Sequence, residues 1–310
     1  MPPPEKKKRD QAMNVDLLCK MAEKELDVRI PVKDGTKLEA RTANLKGGSV
    51  AVVMCPPLPP NGNCYVPEIG VTQAKLALAG YCTVRFNFRG VGASEGATYF
   101  RSPLRECEDV RDVARWLHAS RKHHGLPPLE SVWILGVSYG SAIGAAAAGL
   151  FDEFAGYVAV SYPASYLWYC CNLQGETYLN HARCAKPKLF LWGDVDVFAG
   201  KKVMRDVYAS MPEPKEKASV ATLDATLGHY FRSKEHLKFL NDKTLAWFKK
   251  HAPTLPPRTL EPPPSPPKPF ALPPKAPAPP APPAEDAKDK GNNISRRRDM
   301  LKAASTWTST

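Results

Sequence analysis

From Ser131 to Gly149 the chain reads SVWILGVSYGSAIGAAAAG, an apolar run that stops at Gly136-Val137-Ser138-Tyr139-Gly140 and resumes rich in alanine. A strand that passes so abruptly into a helix leaves few folds open. In a G-x-S-x-G turn the two glycines remove side chains that would collide, and the serine hydroxyl stands out at the sheet edge. The first free amides of the helix then point at whatever that hydroxyl attacks. A Gly/Ser-rich turn matches five characters by chance often enough to be weak evidence alone. Here a V-W-I-L strand precedes it and the small residues Ser141 to Ala148 follow, which favours a nucleophile.

The flanking sequence repeats the same alternation. Leu26 to Pro31 and Lys37 to Thr42 alternate around Asp34-Gly35 and predict a hairpin. Ser49 to Met54 is a β-branched run expected to be buried on both faces, and it ends in Cys55-Pro-Pro-Leu-Pro-Pro60. Helix is expected over Pro67–Gly80, strand over Cys82–Phe88, helix over Leu104–Ser120 and strand over Val132–Leu135. Tyr157–Ser161 and Lys188–Trp192 read as strands, separated by an aromatic-rich connection from Tyr162 to Arg183. A helix over Lys201–Ala209, a strand over Ala218–Leu223 and a helix over Ser233–Lys250 complete the pattern. Strands that alternate with helices of this length imply right-handed crossovers and a mostly parallel, doubly wound α/β sheet led by an antiparallel hairpin. Sites in such sheets form at the C-terminal ends of the strands.

Composition separates a domain from its tails. Sixteen of the 32 prolines lie between Ala252 and Ala284, so residues 26–250 are expected to form one domain and 251–310 a Pro-rich, basic, disordered tail. Residues 1–25 form a basic extension, with a short helix expected over residues 11–25. Of the net charge of +12, +2 falls on residues 1–10 and +4 on residues 251–310, so the basicity argues only weakly for nucleic acid or an anionic membrane at the domain. The PPSPPKP and PKAPAPPAPP stretches of the tail are either an inert spacer or polyproline II ligands for SH3/WW-type partners. No apolar leader or membrane-length run is present, and the eight cysteines lack metal-site spacing, so a cytoplasmic protein without metal or cofactor is expected. The clusters Lys6–Arg9 and Arg296–Arg298 are weak nuclear or membrane-surface addresses.

A serine hydroxyl needs a base and a group that holds that base in one tautomer. His229, in LDATLGHYF after the last strand, lies at the correct sheet edge, with His181 as its rival. His118, His123 and His124 belong to the opposite edge, and His236 and His251 to the last helix. For the acid, the KLFLWGDVDVF stretch offers Asp194 and Asp196; Asp194 follows Gly193 and suits the turn, whereas Asp196 has the reach. Asp224 is a remote third. The order Ser138, Asp196, His229 is the one an α/β-hydrolase scaffold uses. The oxyanion donors expected are the amide of Tyr139 and that of Leu58, the residue able to donate between Pro56 and Pro60. Tyr162, Tyr166, Trp168, Tyr169 and Tyr178 either line an acyl or leaving-group pocket or simply cover the sheet. Arg89 is a candidate for bidentate binding of a substrate carboxylate or, alternatively, a bridge between loops through Asp109 or backbone carbonyls.

The stretch Cys82 to Gly96, CTVRFNFRGVGASEG, carries a resemblance. With CPPLPPNGN, ILGVSYGS, WGDVDVF and GHYF it resembles the compact, lidless or small-lidded α/β-hydrolases related to the serine aminopeptidase and dienelactone hydrolase groups, over about Leu26 to Lys250. The resemblance implies a Ser138, Asp196, His229 triad, a small aromatic-rich cap loop and hydrolysis of ester-like bonds of a small or acyl substrate. One departure is that Cys55-Pro-Pro-Leu stands where that family usually has His-Pro-His-Pro.

Overall fold

The computed structural model describes residues 25–59, 62–97, 103–167, 175–220, 229–231 and 233–252. The Asp34-Gly35 hairpin forms as expected: β1 (Glu25–Pro31) pairs antiparallel with β2 (Lys37–Ala43), Ile30 opposite Leu38. Gly35 takes a φ of +84°, and Asp34 Oδ1 accepts from the Thr36 amide at 3.1 Å, so the turn residues supply both the left-handed backbone and its lock.

Six further strands follow: β3 (Val50–Cys55), β4 (Cys82–Phe86), β5 (Ser131–Val137), β6 (Phe154–Val160), β7 (Lys188–Gly193) and β8 (Lys215–Val220). Among the described residues these six join β1 and β2 in one eight-stranded sheet, in the order β1-β2-β4-β3-β5-β6-β7-β8, parallel from β4 to β8. Alternation along the central strands explains its two buried faces. In β3, Ala51, Val53 and Cys55 join one core cluster, while Val50, Val52 and Met54 join the other. Helices α2 (Pro103–His123), α3 (Tyr139–Leu150), α4 (Gly175–Ala182) and α5 (Lys201–Ser210) supply the first cluster. Helices α1 (Pro67–Leu78) and α6 (Lys234–His251) supply the second, α6 starting at Ser233, whose side chain accepts from the His236 amide.

The structure differs from the sequence pattern in three places. β4 ends at Phe86 rather than Phe88: the Asn87 amide still donates in register to the Glu39 carbonyl of β2 at 2.8 Å, and the chain then turns, the Val91 amide donating to Phe88 O at 3.1 Å while the Asn87 side-chain oxygen accepts from Cys64 N at 2.7 Å. β8 begins at Lys215, earlier than the apolar residues suggest, since an edge strand tolerates the charged KEKASV pattern. Helix α4 lies inside the aromatic connection, where eight residues carry too little periodicity to be read. It is seated by close backbone approach: a Cβ on Gly149 would fall 1.8 Å from the His181 carbonyl oxygen. Of the helix expected over residues 11–25, Glu25 instead begins β1, where it pairs with Ala43 of β2, and the rest lies outside the described residues, as does the tail beyond Ala252. Among the described residues no helix is long and apolar enough to cross a membrane.

Candidate active site

Ser138 stands between β5 and α3 with φ 53° and ψ −123°, a backbone conformation that L residues adopt only when their surroundings force it. Two constraints do so. The Ser138 amide donates to Val160 O on β6 at 2.8 Å, and the Ser141 amide returns to Ser138 O at 2.8 Å to start the helix. The flanking glycines are required sterically: a Cβ on Gly136 would lie 2.2 Å from Gly140 O, and one on Gly140 would lie 2.3 Å from both Cys55 O and Pro56 O. The second approach also brings the proline-rich loop after β3 against the elbow.

His229 Nε2 lies 2.8 Å from Ser138 Oγ, and its Nδ1 lies 3.0 and 2.9 Å from the two oxygens of Asp196. A carboxylate can only accept, so Nδ1 carries the proton and Nε2 is left as an acceptor facing the serine. Asp196 Oδ1 also accepts from the Phe198 and Ala199 amides at 2.8 and 3.1 Å, which fixes the carboxylate. All three residues are nearly enclosed, at 8% exposed for Ser138, 4% for Asp196 and 3% for His229. Asp194 instead stays with the sheet, its amide donating to Val220 O at 3.0 Å. His181 sits against Gly149 near the far end of α3, away from Ser138. Asp224 lies outside the described residues.

Two members of this arrangement escape sequence reading. Ser161, the residue after β6, has φ 51°, donates its amide to Leu191 O at 2.7 Å and its hydroxyl to the His229 carbonyl at 2.8 Å. It therefore ties the histidine to the sheet from behind. Phe198 packs its ring 4.5 Å from the imidazole, centroid to centroid, and Tyr230 lies 5.1 Å away on an edge-on axis. A serine after a buried strand and an aromatic in the acid loop carry no distinctive signal; their roles arise from residues far away in sequence.

Leu58 is half-buried against the core, and its carbonyl accepts from the Gly62 amide at 2.7 Å. The ring of Tyr139 is fully buried, edge-on to Phe88 at 5.7 Å, with its hydroxyl donating to Glu106. Tyr166 is 40% exposed and packs on Phe198 at 5.2 Å, so it continues the aromatic surface outward from His229. Tyr162 and Tyr178 are buried in the core, covering the sheet, whereas Trp168 and Tyr169 lie outside the described residues. Arg89 shows its bridging alternative and not the carboxylate-binding one: Nε and one terminal nitrogen grip both oxygens of Asp109 at 2.7 Å, and the other terminal nitrogen reaches Asp34 and Thr36 at 2.8 and 2.9 Å. These charge-assisted bonds hold the Asp34 carboxyl well below its ordinary range. Arg85 is similarly spent on Glu25 and the Cys64 carbonyl. The R-F-N-F-R-G run is therefore a loop scaffold beside the site.

A family model described as "alpha/beta hydrolase fold" matches residues 50–168, which span β3, the elbow and the start of the aromatic connection. The chain has the α/β-hydrolase fold. Among solved structures of that fold, a serine hydrolase without a lid from Xanthomonas campestris superposes with a TM-score of 0.59 at 20% identity, covering 75% of this chain and 97% of that one. An α/β serine hydrolase homologue from Coxiella burnetii gives 0.56 at 25% identity, covering 70% and 96%. The esterase PF2001 of Pyrococcus furiosus gives 0.58 at 16% identity, covering 73% and 90%. An uncharacterised Rickettsia prowazekii protein, RP471, is 26% identical over 166 residues, a match that spans 53% of this chain and 64% of that protein.

Proposed function

We propose that this α/β-hydrolase-fold chain is a serine hydrolase of ester-like bonds (ester, thioester or amide) in a small or acyl substrate. The observation that carries the reading is the unbroken hydrogen-bond chain from Ser138 Oγ through His229 to Asp196. In this reading Ser138 Oγ attacks the acyl carbon while its proton passes to His229 Nε2, and the carbonyl oxygen becomes an oxyanion facing the Tyr139 and Leu58 amides. Collapse breaks the bond to the leaving group, which takes the proton from His229. A water then gives its proton to His229 and attacks the acyl-enzyme, and collapse of the second intermediate returns the proton to Ser138. Asp196 holds the imidazole tautomer throughout.

The aromatic surface of Tyr166 and Phe198, with the exposed Val195 and Val197 beside them, is the part of the site that would receive an apolar acyl or leaving group. The lidless serine hydrolase and the esterase named above support the reaction class. Among the described residues Cys55, Cys64, Cys82 and Cys184 are free thiols, which suits a reducing compartment such as the cytoplasm.

The test is labelling by a fluorophosphonate probe and turnover of a short-chain p-nitrophenyl ester. Ser138→Ala should abolish both while leaving the melting temperature within a few degrees of wild type, because the hydroxyl packs into no core cluster. Turnover retained by the Ala variant ends the assignment.

A further inference from the structure

The first turn of α2 places a carboxyl behind the elbow, where the reaction proposed above has no use for it. Glu106 is 4% exposed, and its carboxyl accepts from the hydroxyl of Tyr139, the residue that follows the nucleophile. Tyr139 opens α3, so its ring points back toward α2 while its amide lies at the elbow beside Ser138. Phe88 holds that ring from a second side. Cys55, whose carbonyl oxygen lies against Gly140, is close enough for a charge on Glu106 to raise its thiol pKa, an effect that adds to the larger one of burial. Glu106 is therefore neighbour to both segments that would supply oxyanion amides, the Tyr139 turn and the loop that continues from Cys55 to Leu58.

Among the described residues, the titratable or charged groups that act on it are Tyr139 on α3, Cys55 at the end of β3, Arg89 after β4 and Asp109 one turn along its own helix. Burial is the largest influence and lifts its pKa to about 8; the Tyr139 bond and Arg89 pull it down, and Asp109 pushes it up. Near neutral pH the group is thus mainly a neutral acid, and it gains a charge as pH rises through about 8. A negative charge arriving behind the amides opposes a second one forming in front of them, in a setting where water cannot screen either.

We propose that Glu106 is a positioning residue for the reaction: through Tyr139 it fixes the elbow amide that meets the oxyanion, and only its uncharged form supports turnover fully. This rests on the serine-hydrolase reading. Raising the pH should lower kcat along an alkaline limb that follows Glu106, with KM little changed, because the penalty falls on charge that develops only in the transition state.

The experiment is the pH profile of kcat and KM for p-nitrophenyl acetate with the full-length chain, comparing wild type, Glu106→Gln and Tyr139→Phe. Gln is neutral at every pH, so the alkaline limb should disappear. Phe keeps the ring and removes the donor that favours the ionised carboxyl, so the limb should move to higher pH. Glu106→Ala, which removes the anchor altogether, should lower kcat at pH 7 by about tenfold, below the 10²–10³ seen when an oxyanion donor is deleted outright. A limb that stays in place in both Glu106→Gln and Tyr139→Phe overturns the proposal, and so does one that appears in KM alone. Failure of the underlying reading looks different, since it is turnover surviving in Ser138→Ala.

Discussion

The two oxygens of Asp196 differ in their partners, and the difference defines an experiment at the scale of one residue. Oδ1 accepts from the amides of Phe198 and Ala199, in addition to lying 3.0 Å from His229 Nδ1, while Oδ2 lies 2.9 Å from that nitrogen. In Asp196→Asn the side-chain oxygen must stay where the two amides donate, so the new NH2 faces Nδ1 and forces the proton onto Nε2. The imidazole then cannot accept from Ser138. We expect kcat to fall by about 10⁴-fold, as in the serine-protease precedent, with the melting temperature preserved. Asp194→Asn should do the reverse, costing roughly 1 kcal/mol of stability and little turnover. An inverted pattern in steady-state kinetics and thermal melts would make Asp194 the orienting acid. Sequence alone ranked these aspartates by reach, and Arg89 shows where such ranking stops: its type suits a ligand carboxylate and a buried Asp109 equally, and the choice depends on what α2 brings within 3 Å.

At the scale of elements, the elbow is specified almost entirely by local sterics. The run V-W-I-L, the two glycines and the small residues of α3 encode strand, turn and helix within one short stretch, and this is why it was legible. Gly140 also shows that the turn is braced from outside, by the backbone of Cys55 and Pro56. A methyl group there meets backbone, which cannot step aside as a side chain would. Gly140→Ala should therefore cost about 1–3 kcal/mol. Thermal unfolding should show a drop of about 2–4 °C for each kcal/mol in a domain of this size. Probe labelling of Ser138 should fall with it, and an unshifted melt with full labelling would mean that the β3 loop yields freely. Helix α4 and the early start of β8 were not legible for the opposite reason. One is held by a close approach to α3, and the other by a position at the sheet edge, neither of which leaves a periodic trace in its own residues.

For the whole molecule, Ala252, the last of the described residues, is 4% exposed against the second core cluster. A chain cut after Ala252 should keep its melting temperature and esterase turnover within error, because a segment so rich in proline and charge cannot bury enough apolar surface to join a core. A fall of several degrees on truncation would show that the tail docks. The sequence by itself determined the alternating layers, the hairpin, the elbow and the edge of the sheet at which chemistry could gather. Each of these follows from period-two burial, turn sterics or chain order, which act over a few residues at a time. Chain order ranks His229 first as the partner of Ser138, but tertiary structure sets the contact itself across 91 positions, and it alone brings Ser161 to the His229 carbonyl across 68 and Glu106 to Tyr139 across 33. Hydrogen bonds of this kind depend on distances of about 3 Å between segments whose separation is set by the packing of the whole sheet, and no local pattern records them.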